Sequence, residues 1–237
     1  MPNTSHEANN TYEINQLEKE ESWRMFRIIG EFVEGFDSLA DILPAVTVYG
    51  SARTKEDATI YKEAEETSYL LGKAGFNIMT GGGPGLMEAS NRGAARAGVK
   101  SIGLNIQLPH EQVCNAFANR SITFHHFFVR KVMLVKYATA FVIMPGGLGT
   151  LDEVTEVLTL IQTEKIKPFP VILYNSDYWK GFLDWLTDTV LPCGAISESD
   201  FDLLRVFDKP KDVKDAVVKW HREHLVTGRK ALKEKKA

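Results

Sequence analysis

The 237-residue sequence predicts an α/β fold, a doubly wound parallel sheet with helices on both faces and a helical extension before it. Three observations carry this. Short β-branched or apolar runs alternate with helical stretches, which is the pattern of βαβ crossovers. Runs such as Ala45–Tyr49 and Ala140–Met144 are apolar on both faces, as strands covered by helices on two sides must be. Glycine-rich turns follow three of the strands and precede helices, which gathers them on the carboxyl edge of an open sheet.

In chain order, residues 1–12 are small and polar without periodicity and read as disordered. Met25, Ile28, Ile29, Phe32, Val33 and Phe36 recur at helical spacing, so an amphipathic helix over about 14–36 belongs to an extension spanning 13–43. Leu43-Pro44 ends it, and a Rossmann-like domain follows over 44–226. Its strands are expected at 45–49, 75–79, 99–105, 140–144 and 171–174, with a short run at 121–124. Its helices are expected near 57–73, 84–97, 127–137, 150–162, 178–189 and 210–224, with a loop over 108–119 around Pro109. Residues 227–237 form a basic tail carrying Arg229, Lys230, Lys233, Lys235 and Lys236, read as a solvated end.

Composition narrows the function. A chain this long buries a core without disulfides or a metal staple. Apolar residues make up 44% and charged residues 25%, with a net charge of −3, in the range of soluble globular proteins. That balance lacks the basic footprint of a nucleic-acid binder. No apolar run reaches the roughly 18 residues of a membrane span. Met1 to Asn10 lacks the apolar core of a secretory signal. Cys114 and Cys193 lie far apart and read as reduced thiols, so a cytoplasmic location is expected.

The three turns are Gly50-Ser51, Gly81-Gly82-Gly83-Pro84-Gly85 and Pro145-Gly146-Gly147-Leu148-Gly149-Thr150. Glycine lets the backbone approach an anion, and a helix N-terminus adds a favourable field of roughly half a positive charge. The 145–150 turn is the strongest phosphate candidate, yet it fits neither GxGxxG nor the P-loop pattern GxxxxGK followed by Ser or Thr. No lysine follows Gly149, and no acidic residue stands where a dinucleotide ribose is held. A mononucleotide or sugar phosphate therefore fits better than NAD.

Glu153 admits two readings. Thr150-Leu151-Asp152-Glu153 matches a capping box, with Thr150 as N-cap and Glu153 satisfying a backbone donor. Equally, a carboxylate one turn from a phosphate loop can hold sugar hydroxyls, orient water or stabilise an oxocarbenium-like transition state. Arg130 and Lys131 stand in an apolar stretch (Phe124, Phe127, Phe128, Val129, Val132, Met133), where a basic pair wants an anionic partner. His125-His126 and His221/His224 read as non-ligating, and no HExxH, GxSxG or Cys/His cluster is present, so no metal is expected. No lysine stands in a recognisable pyridoxal-phosphate context, so amino-acid decarboxylation gains no support.

Gly81 to Glu88, Arg130-Lys131 and Pro145 to Glu153 together resemble the LOG (Lonely Guy) family, nucleoside 5′-monophosphate phosphoribohydrolases that release cytokinin bases. Pro145–Glu153 satisfies the family signature PGGxGTxxE throughout, and the resemblance covers about residues 45–220. It implies that Glu153 and Arg130 are catalytic. It implies that Lys131, Gly146, Gly147, Leu148, Gly149 and Thr150 contact the nucleotide, with Ser51, Gly82, Gly83 and Met87 bordering the base and ribose. Thr159 matches a substrate-contacting threonine of the family. Six helical residues turn through about 600°, so Thr159 does not share a face with Glu153 and is expected to serve a partner subunit's site in a homodimer or larger homo-oligomer. No cofactor is implied. Phe128, where the family often has His, and Thr139, where it often has Asp, depart from the family's usual residues and resemble a longer bacterial branch. The alternative on the same scaffold is a non-catalytic carrier of a nucleotide or phosphorylated cofactor, in the manner of molybdenum-cofactor carriers.

Overall fold

A computed structural model describes residues 21–108 and 114–234. The expectations for residues 1–12, for the start of the first helix up to residue 20, for Pro109, and for Lys235 and Lys236 lie outside the described residues. The chain runs α1 (Glu21–Leu39), β1 (Ala45–Tyr49), α2 (Thr59–Lys73), β2 (Asn77–Thr80), α3 (Leu86–Ala97), β3 (Ser101–Ile106) and β4 (Arg120–Phe124). It continues through α4 (Phe127–Lys136), β5 (Ala138–Ile143), α5 (Leu148–Gln162), β6 (Val171–Tyr174), α6 (Ser176–Trp185), β7 (Leu204–Phe207) and α7 (Pro210–Glu234).

The seven strands form one parallel sheet in the order β4-β3-β2-β1-β5-β6-β7. The chain winds outward from β1 to β4, then returns to lay β5 on the other side of β1. The β1–β5 boundary is thus the point where strand order reverses, the place outside the carboxyl ends of the strands where an open parallel sheet takes a ligand. Alternate side chains feed two cores. Tyr49, Phe141, Ile143 and Leu173 pack under α1, α4, α5 and α6. Val46, Val142, Ile172 and Tyr174 pack under α2, α3 and α7.

The doubly wound sheet is the one the sequence predicts, with two differences at its far end. β7 was not among the predicted strands, because Leu204-Arg205-Val206-Phe207 is short, carries an exposed arginine and is followed by no glycine turn. Among the described residues it pairs only with β6, so its other edge tolerates the charge. α7 continues to Glu234, past the expected end near 224, so residues 227–234 of the expected tail are helical. Among the described residues no helix is long and apolar enough to cross a membrane.

α1 is fastened to the edge of the sheet and to α4. Asp41, just beyond its end, pairs with Arg120 of β4 and, at 2.5 Å, with Lys100. These two cations hold the Asp41 carboxyl well below the usual carboxylate range, Arg120 contributing most. Within α1, the buried Glu31 accepts hydrogen bonds from the backbone N–H groups of His125 (3.1 Å) and His126 (3.3 Å), the residues that open α4. A carboxylate there satisfies orphan donors and complements the helix field. Of the six periodic apolar residues, Ile28 and Phe32 pack against the core. Met25, Ile29, Val33 and Phe36 are instead exposed, as are Phe127, Phe128 and Val132 of the neighbouring α4. Glu31→Ala removes the acceptor at the α4 N-terminus and is expected to lose about 1–2 kcal/mol, read as a lower melting temperature. An unchanged melting temperature would contradict the capping role.

Candidate active site

The three glycine turns meet at the β1–β5 boundary through the main chain of Ser51. Its N–H donates to Pro145 O (3.0 Å), and its carbonyl accepts from Leu86 N–H (2.9 Å), the first residue of α3. Ser51 Oγ accepts from Arg53 N–H, so that side chain serves its own turn. Close approach demands glycine at two positions here. A Cβ on Gly146 would overlap Thr150 Oγ1 and press on Ser51 N, and one on Gly85, at φ +68°, would overlap Ser51 O. Gly147 and Gly149 differ, because a Cβ on either would meet open space. Nothing among the described residues excludes a side chain there, and both lie exposed with Leu148.

α5 starts at Leu148 with Gly147 as N-cap and no side-chain cap bond. This corrects the capping-box reading: Thr150 already lies inside the helix and is buried, and Glu153 is too far along it to reach the N-cap donor. Thr150 packs against Gly146 instead. The N–H groups of Leu148, Gly149 and Thr150 belong to the first turn and have no intrahelical acceptor.

Glu153 therefore lies clear of the helix cap. It comes to 3.9 Å from Arg130 Nη2, beyond hydrogen-bond range, with the two side chains only 15% and 10% exposed. Arg130 is fixed by a 2.7 Å bond from its Nε to Leu104 O, and its guanidinium lies against Gly81 and Met87. Burial is the largest influence on Glu153 and lifts its pKa to about 7, with Arg130 opposing. Tyr49 lies in the same field; burial first, and then Glu153, pushes its phenol well above the ordinary value. Lys131 is placed differently from Arg130. Its Nζ bonds Asp152 (2.9 Å) and Glu156 (3.2 Å) on α5, and these acids outweigh burial to raise its pKa.

The remaining predicted residues separate. Gly82 and Gly83 are buried, their carbonyls engaged by the Asn115 side chain at 3.0 and 3.1 Å, so their turn is braced from behind. Asn115 also bonds Asn91, which bonds Thr80 and Ser101. Met87 is half-buried beside Arg130. Thr159 is exposed, donates to Thr155 O and lines a groove with Phe182, Trp185 and Phe201, apart from Glu153. His126 Nδ1 lies 3.1 Å from Glu31, and His224 stacks on Trp220, so both have structural partners. The sequence reading missed Asn115, Asn91 and Tyr178. The Tyr178 hydroxyl donates to Gly146 O at 2.6 Å, and Asn175 positions it by capping α6. The only signal for Tyr178 was its place in the first turn of a helix after β6.

The raised Glu153 pKa has a consequence for stability. A carboxyl with a folded pKa of about 7 against an ordinary 4.5 binds more protons folded than unfolded between those values. Its favourable contribution is complete below the unfolded pKa and is lost as pH rises through the folded one. Glu153→Gln is therefore expected to gain melting temperature over the wild type between about pH 5 and about pH 8. A difference independent of pH would contradict the buried, hard-to-ionise carboxyl.

Comparisons with known proteins place this geometry in a family. The family model described as "Possible lysine decarboxylase" matches residues 87–217. Cytokinin riboside 5′-monophosphate phosphoribohydrolase LOG of Oryza sativa subsp. japonica is 31% identical over 180 residues, covering 73% of this chain and 71% of that protein. Cytokinin riboside 5′-monophosphate phosphoribohydrolase of Mycobacterium marinum is 28% identical over 177 residues, covering 72% and 91%. Pyrimidine/purine nucleotide 5′-monophosphate nucleosidase of Escherichia coli is 27% identical over 159 residues, 61% of this chain but 35% of that protein. Among solved structures, the molybdenum cofactor binding protein of Rippkaea orientalis aligns with a TM-score of 0.53 at 22% identity, covering 73% and 93%. The molybdenum cofactor carrier protein of Chlamydomonas reinhardtii aligns with the same score at 23% identity, covering 76% and 98%. These two likenesses establish the fold. With the family model spanning more than half of the chain and the rice relative 31% identical over 73% of it, the chain belongs to the LOG family.

Proposed function

We propose that the protein hydrolyses the N-glycosidic bond of nucleoside 5′-monophosphates, AMP or an N6-modified AMP, to the free base and ribose 5-phosphate. The observation that carries this reading is the buried Glu153 carboxyl. It faces Arg130 at 3.9 Å, makes no hydrogen bond to a protein group among the described residues, and stands one turn inside a helix whose first amides are free. A carboxyl kept partly protonated by burial, without structural bonds, is poised for proton transfer. The names of the rice and mycobacterial relatives give the same substrate class.

In this reading the 5′-phosphate rests on the N–H groups of Leu148, Gly149 and Thr150, with open space at Gly147 and Gly149 for its oxygens. The ribose then extends toward Glu153. The ionised carboxylate stabilises positive charge on C1′ as the C1′–N bond lengthens, and it accepts one proton from the attacking water, whose oxygen bonds C1′. The bonding electron pair leaves with the base, which takes up a proton. Arg130, fixed by Leu104 O, balances negative charge growing on the base or orients the nucleotide. Lys131, tied to Asp152 and Glu156, positions α4 against α5. The outward apolar face of α1 and α4 supports a homo-oligomer, in which Thr159 would serve a neighbouring subunit; light scattering reads that mass directly.

A carrier gains nothing from a buried carboxyl that makes no hydrogen bond beside an arginine, which favours the hydrolase over that alternative. The test is a panel of AMP, GMP, CMP and isopentenyl-AMP scored for free base. Glu153→Gln is expected to lower release by about 10²–10⁴-fold with AMP binding retained. Wild-type kcat/KM is expected to rise as pH passes through about 7, where Glu153 ionises. Tight AMP binding without base release would overturn hydrolysis in favour of carriage.

A further inference from the structure

The amino edge of the sheet holds a second cavity, away from Arg130 and Glu153. Pro44 leads into β1 and Phe76 precedes β2, so the cavity opens where those strands begin, between α2 and α7. Its volume is about 590 Å³, within the range of small-molecule sites.

Its lining divides by chemistry. Leu70, Phe76 and Val218 form an apolar floor, and the His221 ring lies edge-on to Phe76 with centroids 5.1 Å apart. Burial holds His221 toward its neutral form, so it adds an aromatic wall. Around this floor stand Lys73, Lys214 and Arg222, and among the described residues no carboxylate lines the cavity, in a chain whose net charge is −3. Lys214 pairs with Asp215. Lys73 and Arg222 engage no carboxylate among the described residues. Lys73 alone would be explained by its place in the last turn of α2. That does not account for a second unpaired cation across an apolar floor.

Two unmatched positive charges equal the charge of a phosphate monoester at neutral pH, about −1.5 to −2. We propose that this cavity binds a phosphate monoester with an aromatic body, its phosphate between Lys73 and Arg222 and its ring on Leu70, Val218 and His221. This stands independently of the hydrolytic reading, because it uses none of the same residues.

The experiment titrates 1-naphthyl phosphate into the whole chain and follows the His221 ring protons by NMR, assigned with His221→Gln. A saturable His221 shift is expected. Inorganic phosphate and 1-naphthol, each half of the probe, are expected to bind at least about 10-fold more weakly. Lys73→Glu/Arg222→Glu is expected to abolish the shift while leaving base release unchanged. If that double variant fails to fold, Lys73→Gln is read the same way, with weakened binding expected. An unmoved His221 resonance, an equal shift in the charge variants, or equal affinity for 1-naphthol would each overturn the proposal.

Discussion

Two backbone hydrogen bonds at Ser51, to Pro145 and from Leu86, knit the turns after β1, β2 and β5 into one surface. A parallel sheet brings such turns to one edge, but it does not by itself hold them in register. The bonds at Ser51 do, and they require glycine at 85, where a side chain would occupy the space of the bonded main chain, and favour it at 146, where one would overlap the Thr150 side chain and crowd Ser51 N. The position of α5, and hence of its free amides and of Glu153, follows from that packing. Tyr178 reinforces the turn from outside by bonding Gly146 O.

On this frame the site joins two opposing tendencies. Burial disfavours charge on Glu153, and Arg130 restores part of it. A closer contact would lower the carboxyl pKa, and removal of Arg130 would push it higher still. The anchoring of Arg130 Nε on Leu104 O keeps the guanidinium from closing the gap. The buried Asn91–Asn115 network fixes the 81–85 turn against which that guanidinium lies. α1 contributes at a distance: Glu31 caps the helix that carries Arg130 and Lys131.

Much of this was legible in the sequence, for identifiable reasons. Strands buried on both faces announce themselves by composition, and Gly81–Gly85 and Pro145–Thr150 mark the ends of β2 and β5. Arg130 and Glu153 could be chosen because each is a charge in an apolar or glycine-rich setting. Their separation could not, since it depends on how α4 and α5 lie across the sheet. The capping-box match at Thr150 failed because sequence spacing does not reveal that α5 begins three residues earlier, with Gly147 as its N-cap. β7 was hidden by a charge that only an edge strand tolerates. The periodicity of α1 showed a helix but not that much of its apolar stripe would face outward, because tertiary docking through Asp41 and Glu31 sets its rotation.

The central claim is spatial: a phosphoryl group on the first amides of α5 brings the anomeric carbon to residue 153. A crystal structure of the Glu153→Gln protein with AMP measures this directly. The account predicts phosphate oxygens about 2.7–3.2 Å from the N–H groups of Leu148, Gly149 and Thr150, with the side chain at 153 facing C1′. A phosphate bound elsewhere, or a ribose on the far side of Arg130 from residue 153, would contradict it.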